Sequence, residues 1–159
     1  MAKAGSREKQ FIDLCGKLDA KLLCGKISFE DSNKVYVSVD NSIFLNDAII
    51  LIEIDASNQA KLVSGQYTLL NLLKENPSKK YENLVKGKEL IFFVIHCYGK
   101  SENRSKYNPE RSKKNFKLIK ESAFKGKGLK YGSTHIDDLT AKTIDSKAKL
   151  IDEIVRNII

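Results

Sequence analysis

The stretch that most limits how this chain can fold is Lys34 to Ala56, KVYVSVDNSIFLNDAIILIEIDA, in which β-branched residues dominate and Asn46-Asp47 interrupts. Both interrupting residues tolerate the positive φ of a two-residue hairpin turn. Residues 35 to 57 are therefore expected to form a β-hairpin in which paired positions sum to 93. Asp40 then lies opposite Glu53 and Ser38 opposite Asp55, and all four point to one side, because strand side chains alternate with period two. The other side carries Val35, Val37, Val39, Ile43, Leu45, Ile50, Ile52 and Ile54 and reads as core. The acidic side also holds Phe44, Ile49 and Leu51 near the turn, so acids and apolar residues share it.

Two carboxylates directly across a strand pair repel each other and call for a cation. A hard divalent ion such as Mg²⁺ or Mn²⁺ takes oxygen ligands, needs only one or two carboxylates, and keeps waters that phosphate can displace. Asp40, Glu53 and Asp55 are the candidate metal ligands, with the backbone carbonyl of Ile54 as a further oxygen. Solvated acids, or acids paired with lysines, are the plainer alternative.

The flanking segments supply the frame. Phe11, Leu14, Cys15, Leu18 and Leu22 recur at helical spacing over residues 6 to 24, with Ser6 as a cap and Gly25 as a stop. A strand is expected at Ile27 to Phe29. From Asn58 to Glu75 the spacing is again helical, with Leu62, Val63, Leu69, Leu70 and Leu73 on one face and Asn76-Pro77 as the stop. Gln59 and Gln66 fall within that face and need polar partners, at a cost of about 1 to 3 kcal/mol if unpaired. Gln66 is the candidate for contact with the site or substrate, with a bond to nearby backbone as the alternative. Lys61 lies toward the flank, where a long side chain could approach the acids.

Residues 89 to 98, ELIFFVIHCY, read as a central strand covered on both faces. Segment 99 to 114 reads as a long loop, Phe116 to Ile119 as a short strand or helix, and Leu129 to His135 as a last strand. Ile144, Ala148, Ile151, Ile154, Val155 and Ile158 mark a closing helix. The order describes an α/β sandwich with a mixed sheet. One domain over 1–159 is expected, with a core motif region 6–98, a basic segment 99–131 and a C-terminal helix at about 141–158.

The formal charge is +8, and it is concentrated. Between Lys100 and Lys130 eleven basic residues face three acids, so the rest of the chain balances to zero. Such a stretch suits a polyanion partner, with a solvated loop as the alternative. Lys100, Arg104, Lys106, Arg111, Lys113, Lys114 and Lys117 are the candidate nucleic-acid contacts.

Three cysteines without a C-x-x-C spacing suggest neither a disulfide framework nor a zinc knuckle, and read as free thiols in a reduced core. The longest apolar runs fall far short of a membrane span and the first residues lack an apolar signal core, so a cytoplasmic protein without a membrane partner is expected. His96 and His135 have no serine or cysteine nucleophile context and read as structural or exposed.

These residues together resemble the restriction-endonuclease-like, or PD-(D/E)xK, nuclease superfamily. VD(40)NSIFLNDAIILIE(53)ID(55) stands where that family carries its motif, and the elements of residues 6 to 98 come in matching order. The resemblance implies a restriction-endonuclease-like sandwich, with an acidic hairpin flanked by helices, that cuts DNA phosphodiesters with Mg²⁺ (or Mn²⁺) and belongs to restriction or phage defence. Asp40 and Glu53 would hold the metal, and Gln66 would echo the glutamine some branches carry on the crossover helix. Leu70 stands where a tyrosine often follows that glutamine. The family's lysine is Asp55 here, which leaves three readings: a third carboxylate recruits a second metal ion, Lys61 fills the role, or the site is dead. The implied partner is DNA, with RNA open, and a homodimer is an open assembly. A catalytically inactive nucleic-acid-binding module and a protein-interaction domain are the competing functions.

Overall fold

The computed structural model describes residues 5–31, 33–34, 36–57, 59–75, 82–83, 85–99 and 107–159. Val35, Asn58, Asn76, Pro77, Lys100, Arg104 and Lys106, named above, lie outside the described residues.

The chain runs α1 (Ser6–Leu18), β1 (Ile27–Glu30), β2 (Tyr36–Val39), β3 (Asn41–Phe44), β4 (Ala48–Asp55), α2 (Ala60–Glu75), β5 (Glu89–His96), α3 (Glu110–Leu118), β6 (Lys130–His135) and α4 (Lys147–Arg156). A four-stranded sheet has the order β3-β4-β5-β6. The β3–β4 pair is antiparallel, whereas β4–β5 and β5–β6 are parallel. The protein is thus α/β with a mixed central sheet and helices on both faces.

The turn chemistry sets the register as expected. Leu45 N–H donates to the Ala48 carbonyl at 2.8 Å across Asn46-Asp47, and Asn41 pairs with Ile52 through to Phe44 with Ile49. Lys88 Nζ secures the turn by donating to the Leu45 and Asn46 carbonyls at 2.9 and 2.6 Å.

The expected hairpin stops short, however. β2 does not continue along β4 but pairs with β1 in a separate two-stranded ribbon, where Ser38 faces Ser28 and not Asp55. The chain bends at Asp40, and the bend exchanges the faces. Val37 and Val39 pack with Phe29, Leu51, Val63 and Tyr67 on the α2 side, while Ile43, Ile50 and Ile52 pack with Phe11, Leu14, Leu150 and Ile154 on the α1/α4 side. The single apolar face read from alternation therefore divides between two cores, because alternation carries no information about where a strand changes partner.

Phe44, Ile49 and Leu51 do share the layer of the acidic residues. On α2 the buried face is Val63, Tyr67, Leu70 and Leu73; Leu62 is 57% exposed and Gln59 is exposed, so the helix is rotated from the face inferred by leucine spacing. α1 is shorter than expected because Asp19 is already extended, with φ −162°. Ser6 is its first helical residue and Gly5 its N-cap.

Both outer strands have chain laid along them. Beside β3, Cys24 N–H donates to the Ser42 carbonyl at 2.9 Å and Ser42 Oγ donates to the Gly25 carbonyl at 2.8 Å. Beside β6, Ile158 bridges Gly132, and Ile159 N–H donates to the Tyr131 carbonyl at 2.8 Å. Cys15 and Cys97 are buried free thiols that burial pushes up to about 12, while Cys24 is exposed, contrary to a wholly buried set. Among the described residues, no helix is long and apolar enough to cross a membrane.

Candidate active site

The break at Asp40 creates the site. Hydrogen-bonded pairs of the β3–β4 ladder fall at 45/48, 43/50 and 41/52, so the next would join Ile54 to Val39. Val39 pairs with Ile27 instead, and the Asp40 side chain takes the place of the lost acceptor: its Oδ2 receives Ile54 N–H at 2.9 Å. In an antiparallel ladder the N–H and carbonyl of one residue point to the same neighbour, so the Ile54 carbonyl faces this margin too. Asp40 itself is exposed, with Glu53 beside it on β4.

Glu53 is only partly exposed. Burial raises its pKa and the negative charge of Asp40 adds to this; hydrogen bonds from the Gln66 side chain and the Asp40 backbone pull it partly back, and it stands at about 7. Its Oε2 is buried and has no hydrogen-bond partner among the described residues. Gln66 Nε2 also donates to the Ser38 carbonyl at 2.7 Å, so one amide from α2 ties the bent end of β2 to the carboxylate. Gln66 thus bonds backbone, the alternative considered for it, and reaches the Glu53 carboxylate as well.

Asp55 has a different environment from its two companions. It is 5% exposed, and both of its oxygens are engaged. Oδ1 accepts from Ser57 N–H at 3.0 Å and Ser57 Oγ at 3.2 Å, and Oδ2 faces His96 Nδ1 at 3.1 Å. Burial alone would raise its pKa, but the bonds from His96 and Ser57 outweigh it and hold the carboxyl below the ordinary aspartate value. An ionised Asp55 assigns the proton between them to His96 Nδ1. The other ring nitrogen, Nε2, is buried without a partner among the described residues.

His96 and His135, read as structural or exposed, are both fully buried. Asp55, His96 and His135 sit side by side at the carboxyl ends of β4, β5 and β6, where open parallel sheets commonly place ligands. The ring of Tyr107 packs edge-on against both histidines, at 5.8 and 4.6 Å between centroids. His135 accepts Asp137 N–H at Nδ1 and reaches the Tyr98 carbonyl through Nε2 at 2.9 Å. Sequence reasoning missed this row because strands β4 and β5 are joined through a helix, and no local spacing announces which residues come level.

Lys61 is exposed, and among the described residues no lysine or arginine is ion-paired with Asp40, Glu53 or Asp55. Of the basic candidates, Arg111, Lys113, Lys114 and Lys117 lie on α3, which is a helix where part of a loop was expected. α3 packs beside α2, with Asn115 Nδ2 donating to Ser64 Oγ at 3.0 Å. Arg111 lies near Tyr98, whose hydroxyl is raised chiefly by burial and drawn back in part by that guanidinium.

A metal ion fits part of this donor set. Asp40 Oδ2 sits against Ile54 on β4, and the neighbouring Glu53 feels its charge and keeps a buried Oε2 without a partner among the described residues, a donor chemistry suited to an ion that keeps several waters. Asp55 does not join them, since both of its oxygens already serve His96 and Ser57. Among the described residues, no group of three or more histidine, cysteine, aspartate or glutamate side chains is arranged to hold a metal by itself. No protein-family model matches the chain, and no curated protein matches it.

Proposed function

We propose that this chain is a divalent-cation-dependent nuclease of restriction-endonuclease-like type that hydrolyses phosphodiester bonds in DNA. The observation that carries the reading is the junction at Asp40. The chain leaves the sheet there, so that one carboxylate replaces a backbone acceptor beside a second, partly buried carboxylate with an unpartnered oxygen. Burial, with the charge of Asp40 adding to it, raises Glu53 to about 7, a cost that a cation would relieve.

Mg²⁺ or Mn²⁺, when bound, supplies water activation and neutralises charge on the phosphoryl oxygens. Asp40 and Glu53 hold the ion, with the Ile54 carbonyl as a third oxygen. Gln66 fixes the orientation of Glu53 through a bond it shares with Ser38. Asp55 stays ionised beside Glu53 under the hold of His96 and acts as a positioning residue. Lysines and arginines of α3 steady the nucleic-acid backbone.

The test is cleavage of plasmid and linear DNA with Mg²⁺ or Mn²⁺ by the wild type, Asp40→Ala and Glu53→Ala. Each substitution is expected to lower the rate at least 100-fold, on the order of one lost transition-state contact of about 3 kcal/mol. Full activity in both variants would remove the proposal. A second reading, an inactive nucleic-acid-binding module on the same fold, is favoured by the absence of a lysine or arginine paired with these carboxylates among the described residues. Salt-sensitive DNA binding with no cleavage under either metal would support it.

A further inference from the structure

The connection between α3 and β6 is fastened more firmly than a surface link requires. α3 runs into a π-helical turn, Ile119–Ala123, closed by Phe124 N–H donating to the Ile119 carbonyl at 3.2 Å. Lys125 then takes a left-handed backbone with φ 51°, uncommon for a lysine, and Gly126 follows at φ 79°. Gly126 N–H donates to the Lys120 carbonyl at 2.8 Å and Lys127 N–H to the Phe124 carbonyl at 2.9 Å. The far end is bound to α2: buried Asn71 accepts Leu129 N–H at 2.7 Å, and the Tyr67 hydroxyl donates to the Leu129 carbonyl at 2.6 Å. A Cβ at Gly128 would lie 3.0 Å from the Tyr67 hydroxyl oxygen and 3.2 Å from Asn71 Oδ1, so a larger residue would lift the loop.

This loop displays charge. Lys125 and Lys127 are exposed on it, and Lys114 and Lys117 are exposed on the adjoining α3. None of the four is ion-paired among the described residues, whereas Lys113 is paired with Glu110 at 3.4 Å and Lys130 with Glu89 at 3.0 Å. From Glu110 to Lys130 eight basic side chains face two acids. Positive charges that find no acid in their own chain repel, and a polyanion relieves that repulsion.

Aromatic rings in the same stretch are turned inward. Phe116 and Tyr131 are buried and Phe124 is half-buried. Proteins that hold single strands stack bases on exposed rings, whereas cations grip phosphates without any ring. α2 supports both this loop and the acidic site: Asn71 anchors Leu129, and Gln66, about 7.5 Å back along the axis, touches Glu53.

The geometry points to a phosphate-gripping ledge of Lys114, Lys117, Lys125 and Lys127 that receives the backbone of double-stranded nucleic acid without reading its bases. It deepens the nuclease reading and rests on it for what lies beyond the ledge. The test measures binding of a labelled duplex of arbitrary sequence to the full chain, with chelator present, over a range of salt. A variant carrying Lys114→Gln, Lys117→Gln, Lys125→Asn and Lys127→Gln is expected to flatten the log-log salt slope by about 3 to 4. Asparagine is chosen at 125 because it tolerates a left-handed backbone. Removing four lysines elsewhere, with Lys9→Gln, Lys17→Gln, Lys21→Gln and Lys142→Gln, should leave the slope nearly unchanged.

Single substitutions Lys117→Gln and Lys127→Gln, each expected to flatten the slope by about 1, keep the test decisive if the fourfold variant fails to fold. An unchanged slope, equal loss in the control, tighter binding to single strands, or equal binding to polyglutamate would overturn the ledge. A wild type that grips duplex in this way but never cuts would leave the ledge standing and remove the nuclease reading. One that cuts while the lysine variants keep the wild-type slope would remove the ledge alone.

Discussion

At Glu53, burial and the neighbouring charge of Asp40 set the carboxyl at about 7 in place of its ordinary 4.5. A carboxyl raised in this way holds its proton more tightly in the folded chain than in the unfolded one, so stability falls as pH rises from about 4.5 through 7. This residue should cost the fold up to roughly 3 kcal/mol between those limits, and Glu53→Gln should lack that dependence. Urea denaturation of both proteins at pH 5 and pH 8 measures it; parallel losses in the two would show that Glu53 is not the source. The register as far as Asn41 and Ile52 was legible in the sequence, because a two-residue turn and strict alternation fix which positions come level; the bend that takes Asp40 out of the ladder beside Glu53 was not. Nor was the engagement of Asp55 by His96, since it depends on a parallel register between residues 41 positions apart.

Among the elements, those with a strong period could be read and those defined by a partner could not. The β3–β4 register followed from Asn46-Asp47, and β5 from its unbroken apolar run. The departure of β2 into a ribbon with β1 left no mark in the alternation of valines, and that departure is what bends Asp40 into place. α3 was hidden by its charge: Ser112 and Phe116 are its only buried residues, so the apolar stripe that betrays a helix is almost missing. The final strand shows how closely elements can be fitted. A Cβ at Gly132 would stand 2.5 Å from the Asn157 carbonyl oxygen and 3.0 Å from the Phe93 ring. Gly132→Ala is therefore expected to destabilise the protein by about 1 to 3 kcal/mol, and a thermal melt at or above the wild-type midpoint would contradict the packing described.

For the molecule as a whole, two cores on opposite sides of one sheet leave the acidic junction at the margin where sheet and ribbon part. An ion held there binds the folded chain and not the unfolded one, so it should raise global stability. Mn²⁺ at about 100 times its dissociation constant is expected to add about 2.7 kcal/mol to the wild type at pH 8 and almost nothing to Asp40→Ala, read from denaturation midpoints. Equal shifts in both proteins would place the ion elsewhere. The chain laid beside each outer strand has its own consequence. Unpaired strand borders are templates for edge-to-edge aggregation, and here Cys24 and Gly25 occupy one border while Ile158 and Ile159 occupy the other. A second copy that sought to extend the sheet would first have to strip away one of these segments, so self-association by strand addition is disfavoured from either side.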